Sequence, residues 1–171
     1  MLLAGAWQDV ILDHYRDPIG RGLAEAYDVA VSQRNPACAD ELTVRIRLDR
    51  TSGSEPILAQ LTHTGRGCSI SQASASMMAE LVSGLPVRQV ADLDDRVGGL
   101  LRGQQLSAAD ADRLGDVFAL GAVVRFPARV RCAALAWAAL REALRLVSGA
   151  ADTDGQRTPQ WDEKPDREGP L

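Results

Sequence analysis

The chain has 171 residues, enough for one domain with a real core, and its net charge of −4 without a basic tract argues against a nucleic-acid partner. Its three cysteines are an odd number, which argues against a disulfide framework and for thiols in a reducing, cytoplasmic setting, free or bound to metal. The apolar start lacks a basic leader and soon meets Asp9 and Asp13, and no apolar run is long enough to span a bilayer, so neither a signal peptide nor a membrane segment is expected.

Trp7, Val10, Ile11 and Tyr15 recur at helical spacing and predict a helix over residues 7–16, ended by Asp17-Pro18 and Gly20. A first strand is expected over residues 27–32. Leu42, Val44, Ile46 and Leu48 alternate with Thr43, Arg45, Arg47 and Asp49, the pattern of a half-buried strand. After a turn cluster at residues 51–56, a third strand is expected over 57–64 with Ile57, Ala59 and Leu61 on one face. Short connections between the three suggest an antiparallel meander.

Everything after Cys68 reads as helical. A small, apolar helix is predicted over residues 69–83 and stopped by Gly84-Leu85-Pro86. A second is predicted over 87–101, irregular around Gly98-Gly99, and a third is capped by Ser107 with Asp110 three residues on. Residues 121–127 read as a connection, and 132–147 as a last helix with Cys132, Leu135, Ala136, Ala139 and Ala143 on one stripe. Strands first and helices after give an α+β class: a small three-stranded antiparallel sheet with helices packed on one face. The domain is expected to occupy residues 1–149, followed by a polar, flexible tail over 150–171.

The chemistry lies in the cysteines. Cys38 follows Asn35-Pro36, a rigid turn signal, and Asp40 is two residues on. Cys68 follows Gly65-Arg66-Gly67, where the backbone can approach a bound group, and precedes a helix whose dipole favours thiolate. Cys132 stands behind Pro127, Arg129 and Arg131 at the expected start of the last helix. Core burial is the plain alternative for Cys68 and Cys132, since free cysteine is often buried. Jointly, Cys38, Asp40, Cys68 and Cys132 are the ligand set of a tetrahedral zinc site, which the fold must assemble because their spacing is wide. With Zn²⁺ such a site carries a formal charge of about −2, and Arg34, Arg66, Arg129 and Arg131 lie close enough in sequence to balance it. His14 and His63 read as surface or satisfied structural residues, with His63 also a candidate for a supporting contact near Cys68. Ser69 and Ser71 lack a His–Asp partner, which excludes a serine hydrolase.

Taken together, residues 10–15 (Val-Ile-Leu-Asp-His-Tyr), 35–40 (Asn-Pro-Ala-Cys-Ala-Asp), 67–71 (Gly-Cys-Ser-Ile-Ser), 73–78 (Ala-Ser-Ala-Ser-Met-Met) and 129–137 (Arg-Val-Arg-Cys-Ala-Ala-Leu-Ala-Trp) resemble the IscU/SufU, NifU N-terminal-like family of iron–sulfur cluster assembly proteins. Arg131 stands where IscU-type scaffolds carry a histidine before the last cysteine, and residues 101–124 match an extra stretch of the SufU branch. The resemblance implies a zinc-dependent sulfurtransferase that works with a SufS-type cysteine desulfurase and passes sulfur to a downstream cluster-assembly scaffold. Cys38, Asp40, Cys68 and Cys132 would bind zinc, Cys38 would accept the persulfide sulfur, and Arg129 would contribute through docking or site electrostatics. The alternatives are a scaffold that uses the same ligands for an iron–sulfur cluster, and a structural zinc module for protein binding. The family's Cys-Gly-Asp loop has Ala39 in place of its glycine here, and alanine resists a left-handed backbone at a cost of about 1 kcal/mol.

Overall fold

The computed structural model describes residues 5–51, 53 and 55–149; the expected tail over 150–171 lies outside them. The elements run α1 (Ala6–Arg16), β1 (Val29–Asn35), β2 (Asp40–Asp49), β3 (Ile57–Arg66), α2 (Ser69–Val82), β4 (Leu85–Pro86), α3 (Val87–Leu101), α4 (Ala108–Leu114), a 3-10 segment (Gly115–Arg125) and α5 (Pro127–Val147). The class is α+β.

The sheet is antiparallel in the order β1-β2-β3-β4, so it has four strands where the sequence predicts three. The added strand is the Leu85–Pro86 pair, which from sequence reads only as a helix stop. Gly84 turns the chain after α2 with φ of 85°. Its N–H donates to the Leu58 carbonyl, and Leu85 and Pro86 then pair with Leu58 and Ile57. Two residues are too few to show alternation, and a proline is tolerated at a sheet edge because it has no N–H to leave unpaired.

Leu42, Val44, Ile46 and Leu48 form the buried face of β2, as their alternation predicts. The expected buried face of β3 is corrected. The β2–β3 register slips after Arg47, so that Arg47 faces Gln60 and Leu48 faces Leu58, which leaves Ala59 as a bulge residue. Leu58, Leu61 and His63 therefore point inward, at 0%, 2% and 1% exposure, and Ala59 does not. The first strand is also displaced, to Val29–Asn35. Tyr27 lies outside it, under the Arg45 guanidinium at 4.1 Å from the ring centroid.

Helix α2 packs through small side chains. Ala73, Ser74, Ala75 and Ser76 are all buried, and the Ser74 hydroxyl satisfies itself by donating to the Ala133 carbonyl of α5 at 2.7 Å. Helix α3 runs unbroken through Gly98 and Gly99, against the expected irregularity, because the buried Leu100 and Leu101 hold its last turn in the core. Ser107 caps α4 as its sequence context predicts, accepting the Asp110 N–H at 3.1 Å. The stretch expected as a connection is the end of an eleven-residue 3-10 segment. Val117, Leu120 and Val123 are buried at a spacing of three, the period of that helix. Helix α5 begins at Pro127, a residue whose fixed φ suits the first helical position. Cys132 is therefore not at a helix entrance, as expected from sequence, but in the second turn. The predicted stripe of Cys132, Leu135, Ala136, Ala139 and Ala143 is buried.

Candidate metal centre

Three elements deliver the four side chains singled out from the sequence. The first is the β1–β2 hairpin. Asn35 pairs with Asp40 across its mouth, and residues 36–39 make the loop. The Asn35 side chain accepts the Ala37 N–H at 3.0 Å, an Asx turn that sets the loop's start. Ala39 closes the loop with φ of 57°, the only left-handed residue besides glycines among the described residues. This geometry raises Cys38 into solvent and places Asp40, as the first residue of β2, at 3% exposure.

The second element is the N-terminus of α2. Cys68 is its N-cap residue, as expected from sequence, and the Cys68 N–H donates to Asp40 Oδ1 at 3.2 Å. A carboxylate at a helix N-terminus is favoured by the dipole. Asp40 Oδ2 lies 3.6 Å from the Cys68 sulfur, and the Ser71 hydroxyl donates to the Cys68 carbonyl at 3.0 Å. Gly67 makes this approach possible: a Cβ there would stand 2.5 Å from Ser71 Oγ and 2.7 Å from Asp40 Cγ. The third element is α5, which carries Cys132 at 1% exposure. The Cys132 sulfur lies 3.5 Å from that of Cys38.

Cys38, Asp40 and Cys132 offer ligand atoms within 4.8 Å of one another; Cys68 lies outside that group and approaches it at Asp40, its sulfur 3.6 Å from Oδ2. Three sulfurs and one carboxylate oxygen are a donor set suited to Zn²⁺. The electrostatics fit a cation as well. Burial pushes the Cys132 thiol far up, and Cys38, Cys68 and Asp40 add to the effect. Burial also works to raise Asp40. The Cys38 and Cys132 thiols, the Cys68 N–H and Ser71 outweigh it and hold Asp40 below the ordinary carboxylate value. A bound divalent ion would relieve this crowding by favouring every donor in its anionic form.

The arginines divide. Arg34 and Arg66 both pair with Glu41, at 3.4 Å and 3.3 Å, and so are committed to a neighbour. Arg129 is exposed in the first turn of α5, and Arg131 is half-buried one residue before Cys132. Neither histidine is on the surface or joins the cysteines. His63 Nε2 donates to the Ile19 carbonyl at 2.9 Å, which pins the loop after α1, and burial lowers its pKa. His14 is bound to Ser76 and Asp116 on the α1 side of the molecule. Ser71, which in the sequence is only a serine without a hydrolase partner, stands beside the candidate donors. Its signal was its place three residues after an N-cap cysteine.

A NifU-like N-terminal domain matches residues 6–133. The zinc-dependent sulfurtransferase SufU of Bacillus subtilis (strain 168) is 33% identical over 143 residues, which is 84% of this chain and 92% of that one. The iron–sulfur cluster assembly scaffold protein IscU of Streptococcus pyogenes serotype M1 is 33% identical over 141 residues, 82% of this chain and 84% of that one. In fold, the crystal structure of the N-terminal part of a nitrogen-fixing NifU-like protein from Brucella abortus superposes with a TM-score of 0.70 at 19% identity, over 83% of this chain and 94% of that one. No helix among the described residues is long and apolar enough to cross a membrane. The chain belongs to the NifU-like N-terminal domain family, the IscU/SufU family of iron–sulfur cluster assembly proteins.

Proposed function

We propose that the protein is a zinc-dependent sulfurtransferase that takes persulfide sulfur from a SufS-type cysteine desulfurase, in the cytoplasm, and hands it to a downstream cluster-assembly scaffold. Cys38, Asp40, Cys68 and Cys132 would hold the zinc. When bound, zinc supplies the charge that keeps these thiols ionised at neutral pH. One observation carries the reading: the three cysteines are graded in exposure. Cys38 is exposed, Cys68 intermediate and Cys132 buried, yet the Cys38 and Cys132 sulfurs are 3.5 Å apart. A site whose other donors are buried or half-buried thus presents its most reachable sulfur on Cys38.

In the reaction, the Cys38 thiolate attacks the outer sulfur of the desulfurase persulfide. A new S–S bond forms on Cys38, the old one breaks, and the desulfurase cysteine leaves as thiolate. The Cys68 N–H anchors Asp40 at Oδ1. Arg129, exposed three residues before Cys132 on α5, makes no ion pair among the described residues and is available to an acidic group of the partner.

The test is stimulation of a cognate desulfurase, with the persulfide read by mass spectrometry. The wild-type chain gains one sulfur atom on Cys38, and Cys38→Ser abolishes both gain and stimulation. Undiminished stimulation by Cys38→Ser overturns the reading. A second reading, an IscU-like scaffold, is favoured by the equal identity to an IscU. It uses the same four side chains and requires a stable cluster after anaerobic reconstitution with iron and sulfide, which zinc does not displace. A purely structural zinc module requires a Cys38 that stays unreactive in the zinc-loaded protein.

A further inference from the structure

A second group of donors lies away from the cysteines, where α1, α2 and the 3-10 segment meet. His14 of α1, Glu80 of α2 and Asp116 of the 3-10 segment offer ligand atoms within 4.8 Å of one another. The His14 ring is 7% exposed, whereas Glu80 and Asp116 stand at the rim with side chains 52% and 56% exposed. A buried ring thus presents Nε2 outward between two carboxylates, at 3.1 Å from Asp116 Oδ2 and 3.6 Å from Glu80 Oε2. These separations bracket the edge of about 3.3 Å expected for a tetrahedron of N and O donors bonded to one ion at about 2.0 Å.

Two further observations point the same way. No lysine or arginine pairs with Glu80 or Asp116 among the described residues, so two carboxylates converge on a single imidazole without a balancing cation. The other face of the ring is fixed from behind: Nδ1 lies 2.8 Å from Ser76 Oγ, which also accepts the Ile19 N–H at 2.8 Å. A metal-binding histidine is commonly oriented by such a bond at its second nitrogen. Ser76 suits both states of the ring. With Nε2–H donating to Asp116, the Ser76 hydroxyl donates to Nδ1. With Nε2 turned to an ion, the ring carries its one proton on Nδ1 and donates it to the second lone pair of Oγ.

We infer that His14, Glu80 and Asp116 form a second metal site, separate from the cysteines, for a divalent first-row cation of the manganese–iron–zinc group. One nitrogen and two carboxylate oxygens suit these ions, and the exposed rim leaves the remaining positions to water. The two carboxylates neutralise the ion. Binding would tie α1 and α2 to the 3-10 segment, three elements distant in sequence.

The test is titration of the full, zinc-loaded chain with Mn²⁺, followed by electron paramagnetic resonance. Manganese is the probe because thiolates compete for it poorly. One ion is expected to bind per chain, with affinity falling tenfold or more in Glu80→Gln and in Asp116→Asn, and about tenfold in Ser76→Ala. Zinc content stays unchanged in all three. Manganese also raises the Tm of the wild-type chain and not that of Asp116→Asn. Glu80 and Asp116 are at the surface, so these variants keep the fold, which their Tm before manganese verifies. No binding up to about 1 mM would overturn the site. So would binding that neither carboxylate variant weakens, or affinity that falls only together with zinc content.

Discussion

At the scale of single residues, the cysteine loop and the turn before α2 are the tightest points of the site. Ala39 adopts φ of 57°, where a Cβ meets the following carbonyl. Ala39→Gly is expected to stabilise the protein by about 1 kcal/mol, read from thermal melts of the zinc-loaded chain. An unchanged or lowered Tm would mean that the loop carries no such strain. Gly67 is the opposite case. Its φ is ordinary for any residue, and space alone forbids a side chain, because a Cβ would collide with the Asp40 carboxylate and the Ser71 hydroxyl. Gly67→Ala should displace Asp40 and weaken zinc retention about tenfold or more against a competing chelator, with the secondary structure unchanged by circular dichroism. The cysteines and Asp40 could be singled out as candidate donors in the sequence because their residue types suggest metal chemistry. Ser71 could not, since a serine gains its role here from a neighbour one helical turn away.

Between elements, the β1–β2 hairpin that carries Cys38 and Asp40 is secured at its far end by Asp28. That carboxylate accepts the Leu48 N–H at 2.6 Å and an Arg50 N–H at 3.2 Å. The Leu48 amide, first of all, holds Asp28 below its ordinary value of 3.8, with burial opposing and Arg50 assisting. A lowered carboxylate pKa stabilises the fold above the ordinary value, and the contribution is lost as pH falls through the folded-state value. Asp28→Asn is therefore expected to cost about 1 kcal/mol at neutral pH. The gap to wild type should close as pH drops below 3.8 in urea titrations at several pH values. A gap independent of pH would contradict the assignment. Alternation in β2 and the helical periods were readable because each segment states its own burial pattern. The Ala59 bulge was not, because it depends on the partner strand's register. The same limit hid β4, too short to carry a pattern, and the true start of α5, where Pro127 ends the connection and opens the helix five residues before the expected start.

Across the whole molecule, the candidate centre joins a hairpin tip, a helix start and the second turn of the last helix, and only the packed core holds these at one place. That convergence could be inferred from sequence through residue types but not measured there, because 30 and 64 residues separate successive cysteines. The apolar core, including Val44, Ile46, Leu140 and Trp137, takes in no donor of the site except Cys132. Removing zinc with a chelator should therefore lower the Tm and speed hydrogen exchange over residues 36–40 and at the start of α2, while the helix and sheet signals persist. Complete unfolding on chelation would show that the metal, and not the core, holds the fold.

Zinc-edge X-ray absorption on the purified full chain addresses the centre itself. One zinc per chain is expected in a shell of three sulfurs at about 2.3 Å and one lighter atom at about 2.0 Å, the lighter atom lost or replaced in Asp40→Ala. A shell with fewer than three sulfurs, or one that Asp40→Ala leaves unaltered, would contradict this coordination.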